Sequence, residues 1–389
     1  MSAPLLESIA AVLGRLRDRA REIEDVRRVS DESMKELIDT GLFRALQPAR
    51  YGGLELDVMT FYDAVRQIAG ACGSTGWVAS ILGVHAWQLA LFADQAQADV
   101  WSDDPDTLVS SSYAPTGRID SVDGGYRIDG RWNFSSGCDH AQWVFLGGAV
   151  FDRDGTPVDF GTFLLPRRDY AIDDVWDTVG LRGTGSNDIV VDRAFVPAHR
   201  FLSFADTSRC RCPGHDVNQA PLYRLPFASV FSNTITAPII GMATGAYDAH
   251  VAMMSERVRI SYGGQRVVDD GFAQVRVAEA ASEIDAAWLQ LERNMTELTL
   301  HAIAGERIPI ELRARTRRDQ VRGTERAIQA VDMLFENSGG HALRRGTPIE
   351  RAWRDVHSGR VHAVNDPERA LTTYGKLVWG LPVHQDPMV

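Results

Sequence analysis

The chain is short of cysteine. Its 389 residues hold four, Cys72, Cys138, Cys210 and Cys212, and neither their number nor their spacing makes a disulfide framework. Cys210 and Cys212 lack the second pair that a zinc site needs, so reduced thiols in a cytoplasmic protein are the expectation. Long apolar runs are missing too. None approaches the length of a membrane span, and the opening MSAPLLESIAAVLGRLRDRAREIED has a helical period broken by Arg and Glu, unlike a signal peptide. Positive charge is in deficit: 41 basic residues against 52 acidic ones leave a net charge of −11, which argues against nucleic acid or an anionic membrane as partner. Nucleotide and hydrolase motifs are also absent. No GxGxxG follows a predicted strand, there is no Walker loop, HExxH or GxSxG, and the glycines of GLRGTGSND (180–188) stand in the wrong order and context. A redox enzyme with this sequence is not expected to bind NAD(P)H itself.

What is present is an ordinary globular composition, 44% apolar and 24% charged, in a chain long enough for two or three domains. Up to residue 104 the pattern is helical. In VSDESMKELIDTGLF, Ser30 is an N-cap, Asp31 and Glu32 favour the positive helix end, Met34, Leu37 and Ile38 share a face, and Gly41 is the expected stop. Two further helices divide at Gly73-Ser74. From 105 to 206 the short runs GYRIDGRWNF, QWVFLGGAVF, GTFLLP and DIVVDRAFVP, separated by Asp-Gly turns such as Asp129-Gly130 and Asp154-Gly155, predict an antiparallel β domain. From 207 to 389 the pattern is helical again. Val277, Ala281, Ile284, Trp288, Leu291, Met295 and Leu298 form a heptad stripe, and Val321, Thr324, Ile328, Val331 and Phe335 form another, as in a helical bundle.

Helices, β domain and bundle in these proportions resemble the acyl-CoA dehydrogenase fold, an α+β architecture with an N-terminal helical domain, a middle antiparallel β domain and a C-terminal four-helix bundle. VWDTVGLRGTGSNDIVVDRAFVPAHRF (175–201) and ENSGGHALRRGTPIERAWRDVHSGRVH (336–362) carry the likeness. One feature departs from the dehydrogenases. They place a Glu before a Gly near the C-terminus as base, whereas LTTYGKLVWG has Tyr374 before Gly375 and no acidic residue between Glu368 and Asp386. CGSTGWVASILGVHAWQLALF, VSSSYAPTG, WNFSSGCDHAQWVFLGG and WRDVHSGRVHAVNDPERA resemble instead the flavin-dependent monooxygenases of this fold, the oxygenase components of two-component aromatic hydroxylases.

That resemblance implies a cofactor, partners and a site. Reduced FMN, with FADH2 as the alternative, would come from a separate NADH-dependent flavin reductase and react with O2 to a C4a-hydroperoxide. No metal is expected. A phenolic small molecule, foremost the A-ring of a 9,10-secosteroid in steroid catabolism, would be hydroxylated ortho to its hydroxyl, by a homotetramer. Ser111, Ser112 and Tyr113 on one strand edge and Phe134, Ser135 and Ser136 on another would border the flavin, with Ser136 near N5. By residues alone, Ser135-Ser136 reads as a bulge or strand end. Trp77 matches a flavin contact that would otherwise be core, Arg257 a phosphate contact that would otherwise be a solvated charge, and Gly339-Gly340 an approach from a neighbouring subunit or a helix cap. His362, with Ala363 following it, is expected in the last turn of a helix ended by Asn365-Asp366-Pro367, where the dipole favours a protonated ring that would stabilise the developing peroxide. His85, alone in an apolar helix, would be a satisfied core residue by default. The resemblance makes it the base on the phenol, with Ser111 opposite. Asp139 and His140 are given no chemistry.

Overall fold

The computed structural model describes residues 2–151, 156–260 and 263–383; the expected Asp154-Gly155 turn lies outside them. The chain begins with helices α1 (Ser2–Val26), α2 (Asp31–Asp39), α3 (Val58–Ala71), α4 (Gly73–Leu89) and α5 (Asp94–Trp101). Ser30 caps α2 as expected, its hydroxyl accepting from the Ser33 N–H at 3.2 Å. The helix stops at Asp39, two residues before Gly41 takes a left-handed φ of 81°. A single extended residue, Cys72, separates α3 from α4. All seventeen residues of α4 are buried. A helix apolar all round belongs in the middle of a molecule, which is why its sequence shows no stripe.

Eight strands form the sheet: β1 (Val109–Ser112), β2 (Arg118–Val122), β3 (Gly125–Ser135), β4 (Trp143–Phe151), β5 (Pro157–Pro166), β6 (Ala171–Asp173), β7 (Asn187–Pro197) and β8 (Phe201–Ser203). Their order is β6-β7-β3-β2-β4-β5-β8, with β1 on β4. The pairing is antiparallel except at β4, which takes β1 in parallel along Trp143–Leu146 and touches β2 in parallel at Phe151. Ile128, Trp132, Val144, Leu146, Phe163 and Ile189 make a core of their own inside this sheet.

After the short α6 (Phe204–Ser208) come α7 (Phe227–Ser255), a two-stranded ribbon, α8 (Gly271–Ala304), α9 (Ile310–Ser338), α10 (Pro348–Arg360) and α11 (Pro367–Val378). Helices α7, α8 and α9 pack side by side, α10 and α11 lie against α9, and α3 and α4 lie against α7. The two expected stripes face this core: Ile284, Leu291, Met295 and Leu298 on α8 and Val321, Thr324, Ile328 and Val331 on α9 are buried. Helix α9 buries a wider arc that includes Arg317, Asp319 and Gln320, because it has neighbours on several sides. Among the described residues no helix is long and apolar enough to cross a membrane.

Candidate active site

Strand β3 breaks where the sequence interrupts its own pattern. Its register against β7 slips between Trp132 and Ser135, and Phe134 takes a left-handed φ of 69°. The bulge read from the residues is therefore there, and it has a direction. Phe134 is turned outward, 69% exposed, edge-on to Trp176 at 6.1 Å. Ser135 and Ser136 are turned inward and buried, and the Ser135 hydroxyl has no partner. Gly137, with φ 70°, closes the break; a Cβ there would stand 2.9 Å from Val78 Cγ1 of α4. Only glycine meets both demands.

Helix α4 brings Trp77 against this break. Its indole Nε1–H donates to Ser136 Oγ at 3.2 Å, and its ring meets that of His362 edge-on at 5.8 Å. Behind Ser136 runs a row of buried hydroxyls: Ser136 to Ser186 at 2.8 Å, Ser186 to Thr184 at 2.7 Å, and Thr184 to the Leu181 carbonyl at 2.8 Å. The loop carrying them is fastened from two sides. The Asp355 carboxylate accepts from the Leu181 N–H at 2.6 Å, and Ser74 Oγ accepts from the Gly183 N–H at 3.1 Å. Burial pushes Asp355 up to about 6.

The structure corrects the expectation for His362. Helix α10 ends at Arg360, and His362 lies beyond it, capping the short turn Ala363–Asn365. Its Nδ1 accepts from the Val364 N–H at 3.2 Å. It still stands just past the end of α10, its backbone N–H donating to the Gly359 carbonyl at 3.2 Å. Burial, with the Arg317 charge adding to it, holds the ring down to about 4. The imidazole is therefore neutral and carries its proton on Nε2. Asp366, expected to help end the helix, instead caps α11.

Eight residues along α4 from Trp77 lies His85, fully buried. Its Nδ1–H donates to the Val109 carbonyl at 2.6 Å, which fixes the tautomer, and its Nε2 has no partner. Burial pushes its pKa down to about 4. Ser111 of β1 pairs with Phe145 of β4, whose ring meets His85 edge-on at 5.4 Å. The Tyr113 hydroxyl bonds to Gln88 Oε1 and to Ser111, leaving Gln88 Nε2 buried and unpartnered as well. Phe227 and Phe231 of α7 stack on one another at 5.6 Å and both meet the Tyr113 ring. An unpaired acceptor and an unpaired donor thus belong to one buried aromatic group. Ser112 joins this group to the bulge, its hydroxyl donating to the Asn133 carbonyl at 2.6 Å.

Other expected residues lie elsewhere. Arg257 donates to the Ser338 carbonyl beside Gly339, so Arg257, Gly339 and Gly340 form one lip at the ends of α7 and α9. Ile239 and Trp77 both lie against Gly359. From Ile239 to the end of α7 at Ser255 is about 24 Å of helix rise, longer than a flavin's ribityl phosphate arm. Tyr374, at the place of the dehydrogenase base, lies under the Arg318 guanidinium at 4.3 Å. His140 Nδ1 stands 3.4 Å from Arg28, and its Nε2 is buried without a partner. Sequence reading missed Thr184, Ser186 and Gln88. The signal for the first two stood in GLRGTGSND, where the hydroxyls mattered rather than the glycines.

The break in β3 suits a flat polar ring. A partnerless Ser135 hydroxyl, a Ser136 hydroxyl held by an indole and a neutral imidazole meet there, with Phe134 on the outer side of the bulge. The sequence profiles of the acyl-CoA dehydrogenase N-terminal and C-terminal domains match residues 8–104 and 233–367. The chain belongs to the flavin-dependent monooxygenases built on the acyl-CoA dehydrogenase fold. It is 57% identical to the flavin-dependent monooxygenase oxygenase subunit HsaA of Rhodococcus jostii, covering 99% of this chain and 100% of the relative. It is 54% identical to HsaA of Mycobacterium tuberculosis, covering 97% and 96%. The crystal structure of 3-HSA hydroxylase from Rhodococcus sp. RHA1 superposes with a TM-score of 0.96 at 56% identity, covering 99% of both chains.

Proposed function

We propose that this enzyme is the oxygenase component of a two-component system that hydroxylates a phenol ortho to its hydroxyl. The substrate is the A-ring of a 9,10-secosteroid, and the product is its catechol, a step of steroid breakdown. Reduced FMN is the cofactor, with reduced FAD as the alternative, and a separate NADH-dependent flavin reductase supplies it. Bound reduced flavin supplies the electrons that activate O2 for transfer of one oxygen atom to the ring. The residues of this chain do the rest. Trp77, Ser136 and His362 hold the ring system, with Ser135, Phe134 and the Ser111–Tyr113 edge beside it. His362 offers the N–H on Nε2 as donor. His85, as base or hydrogen-bond acceptor, draws the phenolic proton toward Nε2 and raises electron density at the ortho carbon. Ser111 and the Gln88 amide steady the phenol oxygen.

One observation carries this reading: a neutral, tautomer-fixed His85 whose second nitrogen is buried, unprotonated and unpartnered. Such an atom lacks about 1–3 kcal/mol of solvation that a phenolic O–H would restore. The lip of Arg257 and Gly339-Gly340 lies too far along α7 to serve the flavin of its own chain. It serves that of a neighbouring copy, in a homotetramer. Tyr374 under Arg318 gives no carboxylate base, which weighs against an acyl-CoA dehydrogenase. The purified protein, a generic flavin reductase, NADH and a phenolic secosteroid should yield a catechol carrying one oxygen atom from labelled O2. Reduction of bound flavin by an acyl-CoA thioester, with no hydroxylation, would overturn the reading.

A further inference from the structure

We infer that Thr184 and Ser186 set the polarity of the Ser136 hydroxyl, so that the site takes reduced flavin in preference to oxidised flavin. The inference rests on the reading of Ser136 as a contact of the flavin ring, proposed above, and takes N5 as the atom it faces. Each hydroxyl in the row has a single proton to give. The Leu181 carbonyl can only accept, so Thr184, 2.8 Å from it, donates there. Thr184 then has lone pairs alone to offer Ser186, which donates to it across 2.7 Å. Ser186 in turn accepts the Ser136 proton across 2.8 Å. With that proton committed and Trp77 Nε1–H occupying one lone pair, Ser136 has only an acceptor left.

Dihydroflavin carries N–H at N5, a donor, whereas oxidised flavin carries a lone pair. The row matches the first and opposes the second. Ser136, Thr184 and Ser186 are all buried, so water does not rescue a mismatch. The row can also run the other way, Thr184 to Ser186 to Ser136 to the flavin. That arrangement gives up the bond from Thr184 to Leu181, whose carbonyl stays satisfied by the Thr184 N–H at 3.1 Å and Trp176 Nε1–H at 2.9 Å. Oxidised flavin is therefore disfavoured by about one hydrogen bond, roughly fivefold in affinity. For an oxygenase that collects flavin from solution, this keeps the spent form from holding the site. Thr184 and Ser186 act through Ser136 and are positioning residues.

The test compares dissociation constants of the purified full chain for reduced FMN, by anaerobic equilibrium dialysis, and for oxidised FMN. Thr184→Val keeps the shape and removes the hydroxyl; it should shrink the oxidised-to-reduced ratio of dissociation constants roughly fivefold. Ser186→Ala frees the Ser136 proton and should do the same, which keeps the test alive should the valine variant not fold. Thr184→Ser should restore the wild-type ratio. Ser136→Ala separates the two layers of the argument. If it abolishes the preference while Thr184→Val and Ser186→Ala keep it, or weaken both flavins equally, the inference is overturned and the Ser136 reading stands. If Ser136→Ala leaves the ratio unchanged, Ser136 does not face N5, and the inference falls with it.

Discussion

At the scale of single residues the site depends on atoms left without partners. Replacing His85 by Ala removes the unpartnered acceptor of the aromatic group, and hydroxylation should fall by at least about 100-fold. Flavin oxidation should continue, with its O2 appearing as hydrogen peroxide; assays of catechol and peroxide side by side check this. A ring already held down to about 4 stays unprotonated through mild acid. The kcat/KM for the phenol should therefore hold level from pH 7 down to about pH 5, with no break near the ordinary histidine value. Sequence made His85 visible as a lone polar residue in an apolar helix, but its neutral state depends on Val109 and on burial, which no spacing reveals. His362 shows the opposite case. Its position was legible, yet it lies beyond the helix rather than in its last turn, and burial with the Arg317 charge keeps the ring neutral.

Among the elements, the broken end of β3 and helix α4 act as one part. Gly137→Ala adds a Cβ at φ 70° and 2.9 Å from Val78. It should destabilise the protein by about 1–3 kcal/mol in chemical denaturation and loosen flavin binding with it. Had the broken strand been a simple sheet end, the same change would be tolerated. The helices α2 and α8 were legible because each buries one face and wears its period openly, and α9 was legible by its apolar stripe although it buries a wider arc. Helix α4 was legible as apolar but not as central, since total burial erases the stripe that orientation is read from. The loop 180–186 reads by its glycines, which match no known motif, while its two hydroxyls, Thr184 and Ser186, form no pattern that spacing alone reveals.

For the molecule as a whole, buried histidines set the response to acid. His85, His140, His250 and His362 are each held to about 4, chiefly by burial, from an ordinary 6.5. Between those values the unfolded chain binds the proton and the folded chain does not. Stability from these groups is full above pH 6.5 and is lost as the pH falls toward 4. For the two imidazoles with no exposure, His85 and His250, the slope is roughly 1.4 kcal/mol per pH unit each. Asp355, raised to about 6 from 3.8, runs the other way and offsets part of the loss. Thermal melts from pH 7 to pH 5 should show a steep fall in Tm; a flat profile would mean the rings stay wet. Arg257→Glu, placed on the lip, should weaken flavin binding while leaving Trp77 fluorescence in the flavin-free protein unchanged. Mixing these subunits with Ser136→Ala subunits should recover activity in the mixed oligomers.

Helix α4 carries both Trp77 and His85, eight residues and about 12 Å apart, with no residue of its length exposed. A rod clamped on every side works as a ruler. The interval between the oxygen donor and the phenol anchor is therefore set by backbone pitch rather than by whatever substrate fills the gap. Smaller phenols should then react slowly and wastefully yet be oxidised at the same carbon, so regiochemistry would outlast the loss of substrate fit.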